Sequence, residues 1–253
     1  MRKVTSKTIF LTPTHKQELS HTEITRIRIS QISNKFIEHA FILPNSVNNY
    51  FFNQHFPKSK MIHLEDEYFR TIRDYNRLLL TNNFYDMFNS YEYIVILQTD
   101  SFLIKDISDI IDKKFTYVGS PWAHPKKINF LFGHFYENSR KINGFLSTKI
   151  EVGNGGLSIR KVSNFIDLLS SIRYKNNKNS HIFSGLYNED LVFSYFFKRN
   201  GFKIPTALEA RRWFSEELSR NLDLNTALGL YGFHALGKFN PDLEAALLKC
   251  KNN

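Results

Sequence analysis

The amino-acid sequence predicts an α/β protein with a mostly parallel central sheet flanked by helices. Short apolar runs alternate with helical periodicity through the first half of the chain, as in parallel sheets. The run Tyr93–Leu97 is rich in branched aliphatic residues, which is typical of a strand buried on both faces. It ends in the polar triplet Gln98–Asp100. Open α/β sheets bind ligands outside the carboxyl ends of their strands, although an ordinary solvated turn explains this triplet equally well.

The first half of the chain begins with a strand over Thr8–Leu11 and the turn-like segment Thr12–His15. Ser20 and Glu23 have the spacing of a capping box and predict the start of a helix. The other elements predicted here are strands over Phe41–Leu43, Met61–Leu64 and Phe115–Val118, the last ending at Gly119–Trp122, and one helix over Arg70–Phe88.

The second half is less regular. Residues 123–150 are expected to be a loop-rich insertion, and the polar segment Lys175–Ser180 a mobile loop. Helices are predicted over Ser163–Ile172 and Glu189–Arg199, with Gly201 just beyond the second. Because no repeat or linker divides the chain, we expect a single domain over residues 1–253.

Charge and cysteine content restrict the function classes. Lys and Arg number 34 against 24 Asp and Glu, which gives a net charge of +10 and favours anionic partners. The basic residues are scattered and form no nucleic-acid-binding run, so we expect no nucleic-acid partner. A single cysteine, Cys250, excludes an intramolecular disulfide and a Cys-based metal site.

No apolar stretch approaches the length of a membrane span, and Ile9–Leu11 is too short for the core of a signal peptide. We therefore expect a cytoplasmic protein. Its positive charge is compatible with peripheral association with the anionic cytoplasmic face of the inner membrane.

Three further polar islands carry candidate functional groups. Gly153–Gly156 indicates close approach of the backbone to a ligand or strand, or else a tight hairpin turn at Asn-Gly. Asn188–Asp190 begins an apolar helix, where acidic residues are commonly caps and dipole partners. Tyr231–Lys238 brackets His234 with apolar residues and glycines, as around many structural histidines. Each island alone has an ordinary structural explanation.

Together, the order and spacing of these islands resemble the GT-A class of nucleotide-sugar-dependent glycosyltransferases. The chain is particularly similar to a bacterial family described only as glycosyltransferase-like, over roughly residues 8 to 240. The segments that carry this resemblance are Gln98–Asp100, Gly119–Trp122, Gly153–Ser158 and Asn188–Asp190, with further echoes in Asp74–Leu78, Ala210–Glu216 and Gly232–His234. The resemblance implies a GT-A-like, Rossmann-like domain with a donor-binding half at about 8–120 and an acceptor-binding half at about 121–240.

The resemblance also implies a donor site for a UDP-sugar. GT-A enzymes carry Asp-x-Asp at a strand end, and here Gln98 replaces the first acid, which normally contacts ribose. Asp100 and His234 are the implied ligands of Mn²⁺ or Mg²⁺, completed by diphosphate oxygens and water. The implied donor-binding residues are Thr12, Thr14, Arg77, Gln98, Thr99, Asp100, Asn154, Gly155, Gly156 and Lys238.

On the acceptor side, the resemblance implies Asp190 as the catalytic base, with Glu189 beside it, and Trp122 and Asn188 as substrate-binding residues. We expect the helix dipole to keep Asp190 ionised. The implied reaction moves a hexose, with inversion, to a glycan or lipid-linked saccharide in surface polysaccharide or lipopolysaccharide synthesis. Since Gln98 replaces an acid, the alternative is a catalytically inactive GT-A-like domain that binds a glycan or nucleotide sugar.

Overall fold

The computed structural model describes residues 7–131, 134–137, 147–175 and 180–252. The strands are β1 (Thr8–Pro13), β2 (Glu38–Pro44), β3 (Lys60–Leu64), β4 (Tyr93–Leu97), β5 (Ser101–Leu103), β6 (Tyr117–Leu131), β7 (His134–Glu137), β8 (Thr148–Lys161), β9 (Phe214–Ser215) and β10 (Gly232–His234). The helices are α1 (His21–Ser33), α2 (Tyr50–His55), α3 (Ile72–Leu79), α4 (Asn82–Asp86), α5 (Ser108–Ile111), α6 (Val162–Lys175), α7 (Ser180–Phe183), α8 (Glu189–Arg199), α9 (Ala207–Ala210), α10 (Leu224–Gly229), α11 (Leu236–Phe239) and α12 (Pro241–Asn252).

Within the described residues, the main sheet has the order β3-β2-β1-β4-β8-β6-β7. The first four strands are parallel, whereas β8, β6 and β7 each pair antiparallel with their neighbours. The predicted α/β class with a helix-flanked central sheet is confirmed. In the main sheet, the parallel arrangement is restricted to β1, β2, β3 and β4.

Strand β4 separates two hydrophobic clusters. Its residues Ile94 and Ile96 pack with α4, α6 and α8 on one face of the sheet. Tyr93, Val95 and Leu97 pack with α5 on the other face. All five side chains are buried, because successive strand residues face opposite sides and both sides are covered. The predicted two-sided burial of this strand is therefore confirmed.

A small second sheet follows the polar triplet and has the order β5-β10-β9 in the part of the chain that the structure describes. The Ser101 amide donates to the Gln98 carbonyl at 2.8 Å and closes a turn between β4 and β5. Strand β10 pairs antiparallel with β5, so that His234 lies opposite Ser101. The small sheet thus brings a C-terminal histidine beside Asp100.

The glycine-rich segment Gly153–Gly156 lies inside the continuous strand β8, so the hairpin-turn alternative is wrong. The predicted turn at Gly119–Trp122 is also wrong, because β6 continues through it. The ladder between β6 and β8 shifts register between Pro121 and Lys126, which pair with Val152 and Ile150. Residues 122–125 therefore bulge out of the sheet, and much of the expected 123–150 insertion is strand.

The single helix predicted over Arg70–Phe88 is interrupted. A 3-10 turn covers Asp66–Phe69, and α3 and α4 follow as separate helices. Thr71 and Thr81 each accept a hydrogen bond from the amide three residues later and cap the two helices. The β-region geometry of a capping threonine breaks helical continuity although the apolar periodicity persists.

The other helix predictions hold with small shifts of boundary. Ser20 and Glu23 form the predicted capping box of α1, and Gly201 follows α8 with a φ of 71°. The C-terminal segment that contains Cys250 is helical, and it packs Leu243 and Leu247 into the interior. Residues 176–179 of the expected mobile loop lie outside the described residues. No helix in the described ranges combines the length and apolar character required to cross a bilayer.

Candidate active site

A cleft of about 680 Å³ opens where the adjacent parallel strands β1 and β4 end. This is the carboxyl edge at which open α/β sheets bind ligands. The cleft is lined by Pro13, Thr14, His15, Lys16, Glu23, Phe69, Arg70, Thr71, Ile72, Tyr75, Gln98, Thr99 and Asp100. The complete polar triplet therefore lies in the cleft, together with the loop that follows β1.

The polar triplet is held from two directions. The Gln98 amide donates to the Gly156 carbonyl at 3.0 Å, which ties the triplet to β8. From helix α1, Arg26 Nη1 donates to the Thr99 carbonyl at 3.2 Å. Arg26 itself makes two hydrogen bonds to Glu244 of α12, at 2.8 and 3.0 Å. The triplet is rigid, and the Asp100 side chain is 48% exposed at its end.

Two basic side chains, Lys16 and Arg70, line the cleft, and they differ in whether a carboxylate pairs with them. Lys16 Nζ lies 2.8 Å from Glu23 Oε1, so its charge is already paired. Burial opposes ionisation of Glu23, but hydrogen bonds from Lys16, Ser20 and Thr99 outweigh it and lower the Glu23 pKa to about 2. Arg70 is exposed and has no ion-pair partner among the described residues. Arg70 is therefore the cleft cation best able to meet an incoming anion.

Six of the ten residues expected at the donor site lie outside the cleft lining, namely Asn154, Gly155 and Gly156 of β8 and the separate residues Thr12, Arg77 and Lys238. Thr12 is fully buried and bonds His39 Nε2 at 3.0 Å, beneath the cleft. Arg77 lies 3.3 Å from Glu67 and 3.7 Å from Asp74, outside the cleft lining. Lys238 is exposed on α11 over the Phe239 ring and also lies outside the cleft lining. The apolar periodicity of the helix predicted over Arg70–Phe88 gave no means of distinguishing Arg77 from Arg70.

The glycines of β8 each face a different site residue. A Cβ on Gly153 would overlap Ser194 Oγ and approach Trp122. One on Gly155 would overlap Glu189 Oε1, and one on Gly156 would overlap the imidazole of His234. Close approach of the backbone to neighbouring groups, not a turn, therefore explains these glycines.

His234 lies between two carboxylates. Its Nε2 is 3.5 Å from Asp100 Oδ1, and its Nδ1 is 3.1 Å from Glu216 Oε1. Burial opposes protonation, but Glu216 and Asp100 outweigh burial and raise the His234 pKa. No cluster of three or more His, Cys, Asp or Glu side chains suited to a metal occurs within the described ranges. The structure therefore brings Asp100 and His234 together as a pair, as the resemblance implied.

Asp190 is half-buried at the start of α8 and faces β8. It accepts hydrogen bonds from the Gly155 amide at 3.3 Å and from the Leu191 amide at 2.6 Å. Burial, and then the charge of Glu189, raise the Asp190 pKa to about 7. The expectation that the helix dipole would keep it ionised is wrong, because desolvation exceeds the dipole contribution.

Glu189 is buried and points away from the cleft toward Arg160. Arg160 Nη2 lies 2.7 Å from Glu189 Oε1, and the Arg160 side chain has no exposed surface. Arg160 also donates to Tyr85 and Ser158, each at 3.0 Å, and so is fully engaged. Glu189 therefore supports the site as the counter-ion of a buried cation.

The remaining predicted residues surround the glycine segment. Trp122 lies on the β6 bulge, and Lys126 Nζ is 5.3 Å from its ring centroid. Asn154 donates through its amide to Glu216, and its Oδ1 accepts from the Gly156 amide at 3.2 Å. Asn188 is exposed and accepts from Asn76 at 3.3 Å, so it links α8 to α3.

Sequence reasoning missed several residues of this site. Glu216 lay within a segment that carried the resemblance, but it received no role. Arg160 lies four residues after Gly156 in the same strand, and a charge at a strand position that should be buried was the available signal. Arg70 and Glu23 had no distinguishing signal, because a helix-terminal arginine and a capping glutamate occur on most surfaces.

Gly156→Ala tests the close approach to His234. We expect a loss of about 1–3 kcal/mol in the free energy of unfolding, because the added methyl overlaps a nearly enclosed ring. Gly229→Ala is the control, since no atom lies within 4 Å of its added Cβ. Urea denaturation measures both. Equal stability of the two variants would contradict the packing described here.

A family model described as "Protein of unknown function (DUF5672)" matches residues 58–234. That range includes the polar triplet, the glycine segment, Asp190 and His234. No curated protein has a significant sequence match to the chain.

Two solved structures have similar folds at low identity. Core-mannan synthase A from Aspergillus fumigatus, in a Mn/GDP form, aligns with a TM-score of 0.51 and 10% identity, over 78% of this chain and 71% of that one. The bifunctional glycosyltransferase WbbM, in its apo form, aligns with a TM-score of 0.50 and 10% identity over 100% of this chain. The chain spans about half of WbbM, 51% of its length. The fold is thus one that glycosyltransferases use.

Proposed function

The chain belongs to the family described as Protein of unknown function (DUF5672), and we propose that it is a glycosyltransferase that uses a nucleotide-sugar donor. The observation that carries this proposal is the pairing of the cleft at Gln98–Asp100 with Asp190 on the other side of the glycine segment. A donor site and a candidate base on a fold shared with glycosyltransferases support group transfer from a bound donor.

The donor occupies the cleft at the ends of β1 and β4 in this proposal. Thr14 and His15 meet the nucleotide, and the Gln98 amide group offers hydrogen bonds to ribose hydroxyls. Arg70 approaches the diphosphate. We propose a UDP-sugar as the donor, and the GDP in the mannan synthase structure makes a GDP-sugar the natural comparison in any test.

Asp190 acts as the base in the proposed inverting reaction. An acceptor hydroxyl gives its proton to Asp190 while its oxygen bonds to the anomeric carbon of the donor hexose. The bond from that carbon to the diphosphate oxygen breaks, and the nucleoside diphosphate leaves with the bonding electrons. A base with a pKa of about 7 is well matched to this task near neutral pH. The acceptor, a glycan or glycolipid of surface polysaccharide synthesis, would pack against Trp122.

The residues at the cleft fit a divalent cation in part. Asp100 and His234 would hold Mn²⁺ or Mg²⁺, since their ligand atoms lie 3.5 Å apart and Asp100 is exposed toward the cleft. A bound cation would offset the negative charge of the diphosphate. Because the described residues offer only this pair, donor oxygens and water must complete the coordination.

Arg70→Ala tests the donor site. We expect about a tenfold loss of nucleotide-sugar affinity, since a hydrogen bond to a charged group contributes about 1.5–3 kcal/mol when shielded and less at an exposed site. Arg77→Ala is the matched control, because Glu67 and Asp74 hold that guanidinium outside the cleft. Calorimetric titration with UDP- and GDP-sugars in the presence of Mn²⁺ measures both. Equal losses, or no binding by the wild-type protein, would refute the proposed donor site.

The replacement of an acid by Gln98 favours a second function, that of a catalytically inactive domain that binds a nucleotide sugar or glycan. This alternative predicts the same donor binding and the same effect of Arg70→Ala. It predicts no release of nucleoside diphosphate with any acceptor. An assay of diphosphate release therefore separates the two functions.

A further inference from the structure

Glu216 is a mostly buried carboxylate of the described site for which neither the resemblance nor the proposed reaction provides a role. It follows the short strand β9, and its side chain is 13% exposed. One oxygen lies 3.1 Å from His234 Nδ1, and the other accepts from the Asn154 amide. The Asn154 hydrogen bond orients the carboxylate, and its other oxygen lies in ionic contact with Nδ1, which has no hydrogen-bond partner among the described residues.

The opposite nitrogen of the same imidazole, Nε2, faces Asp100 at 3.5 Å. The ring itself is restricted by Gly156 beneath it and by strand β10, which pairs with β5 and β9. A carboxylate beside one ring nitrogen favours the proton on that nitrogen and leaves the other nitrogen as a lone-pair donor. Histidines that bind metals are commonly supported in this way.

We propose that Glu216 is a positioning residue that holds His234 with Nε2 toward Asp100, so that the two side chains form a preorganised half-site for a divalent cation. Through Asn154, Glu216 also ties this half-site to the strand that bonds Asp190. This inference rests on the proposed donor site, because the diphosphate supplies the remaining ligands.

This arrangement explains how a metal site with only two protein ligands can bind a cation. With one protein carboxylate and one imidazole, a freely rotating ring would lose much of its binding energy to ordering. Glu216 removes that cost before the cation arrives. Replacement of such a supporting group typically weakens metal affinity about 10- to 100-fold.

The test compares Glu216→Ala, Glu216→Gln and the exposed neighbour variant Glu217→Ala. Mn²⁺ titration, followed by electron paramagnetic resonance with UDP or GDP present, reports cation affinity. We expect Glu216→Ala to bind Mn²⁺ about 10- to 100-fold more weakly than wild type. Glu216→Gln should recover most of the affinity, because its amide oxygen still accepts from Nδ1, and Glu217→Ala should match wild type.

A second readout needs no metal and no activity. The ¹⁵N NMR spectrum of the imidazole at alkaline pH should show His234 with its proton on Nδ1 in the wild type and in Glu216→Gln, and a tautomer mixture in Glu216→Ala. Thermal unfolding of each variant checks that the fold is retained.

Several outcomes would overturn the inference. These are Mn²⁺ affinity of Glu216→Ala within twofold of wild type, equal losses in the Ala and Gln variants, or no Mn²⁺ binding by the wild type with either nucleotide. In each case, nucleotide-sugar binding in the Arg70 experiment would still stand or fall separately, so failure here is distinguishable from failure of the proposed function.

Discussion

Replacement of Asp190 by asparagine should lower the rate of glycosyl transfer by about 10²- to 10⁴-fold, the range typical of general-base removal. The amide has nearly the same shape and still accepts from the Gly155 amide, so donor affinity should remain unchanged. The loss should therefore fall on kcat and not on the dissociation constant of the donor. Asp242→Asn is the control, because Asp242 also lies in a helix first turn but is exposed.

The pH dependence of the reaction follows from the same residue. Asp190 accepts a proton only when ionised, and its pKa is raised to about 7. The wild-type rate should therefore rise with pH and level off above about 7. A pH profile of kcat measures this directly. A rate already constant from pH 5 upward would remove Asp190 as the base.

As the pH rises, the contribution of Asp190 to the free energy of unfolding should fall while the rate of transfer increases. Because the folded-state pKa of about 7 exceeds the ordinary aspartate value of 3.8, folding favours the protonated carboxyl. That contribution is complete below about pH 4 and is lost as pH rises through about 7. At pH 8, Asp190→Asn should be more stable than wild type by about 1–2 kcal/mol after allowance for solvent screening. At pH 4 the two proteins should unfold at similar urea concentrations.

Glu189→Ala should destabilise the protein by about 3–5 kcal/mol, because it leaves the fully buried Arg160 without its counter-ion. That loss is a large fraction of the 5–15 kcal/mol that typically holds a folded protein together. The cation cannot shed its proton instead, because a guanidinium stays protonated in proteins even when it is buried. The variant should be partly unfolded at 37 °C, as circular dichroism will report.

The exposed pair Lys60–Glu38 provides the matched control. Its side chains are 57% and 45% exposed, and Glu38→Ala should cost less than about 1 kcal/mol. The double variant Glu189→Leu with Arg160→Met should recover part of the loss, since apolar pairs often replace buried ion pairs at little cost. Similar urea midpoints for Glu189→Ala and Glu38→Ala would contradict the structural role given to Glu189.

The parts of the fold that local sequence determines were predictable. Strand β4 is apolar at every position and is buried on both faces, and Ser20 with Glu23 defines the start of α1. The strand β6 was not predictable, because Pro121 and Pro125 indicate turns when taken alone. Only pairing with β8 shows that the chain continues as a bulged strand.

Some features of the candidate site were likewise predictable from local sequence, and others were not. Gln98–Asp100 follows from a rule about strand ends, and the structure does place it in the cleft. The raised pKa of Asp190 depends on burial by a distant strand, which local sequence does not encode. The contact of Glu216 with His234 joins the residue that follows β9 to a residue of β10, and the pairing of these two short strands is a tertiary property.

The glycines of β8 limit which parts of the proposed site can change to accept different acceptors. Gly155 bonds Asp190, the proposed base, and Gly156 touches His234, so two successive peptide units set the spacing between the two sides of the proposed site. No side chain can be added there without displacing a functional group. The bulge at residues 122–125 of β6 is not subject to that restriction, because it has left the ladder. We therefore expect acceptor specificity to vary through residues of the β6 bulge, whereas the glycines of β8 cannot be replaced without disturbing the proposed site.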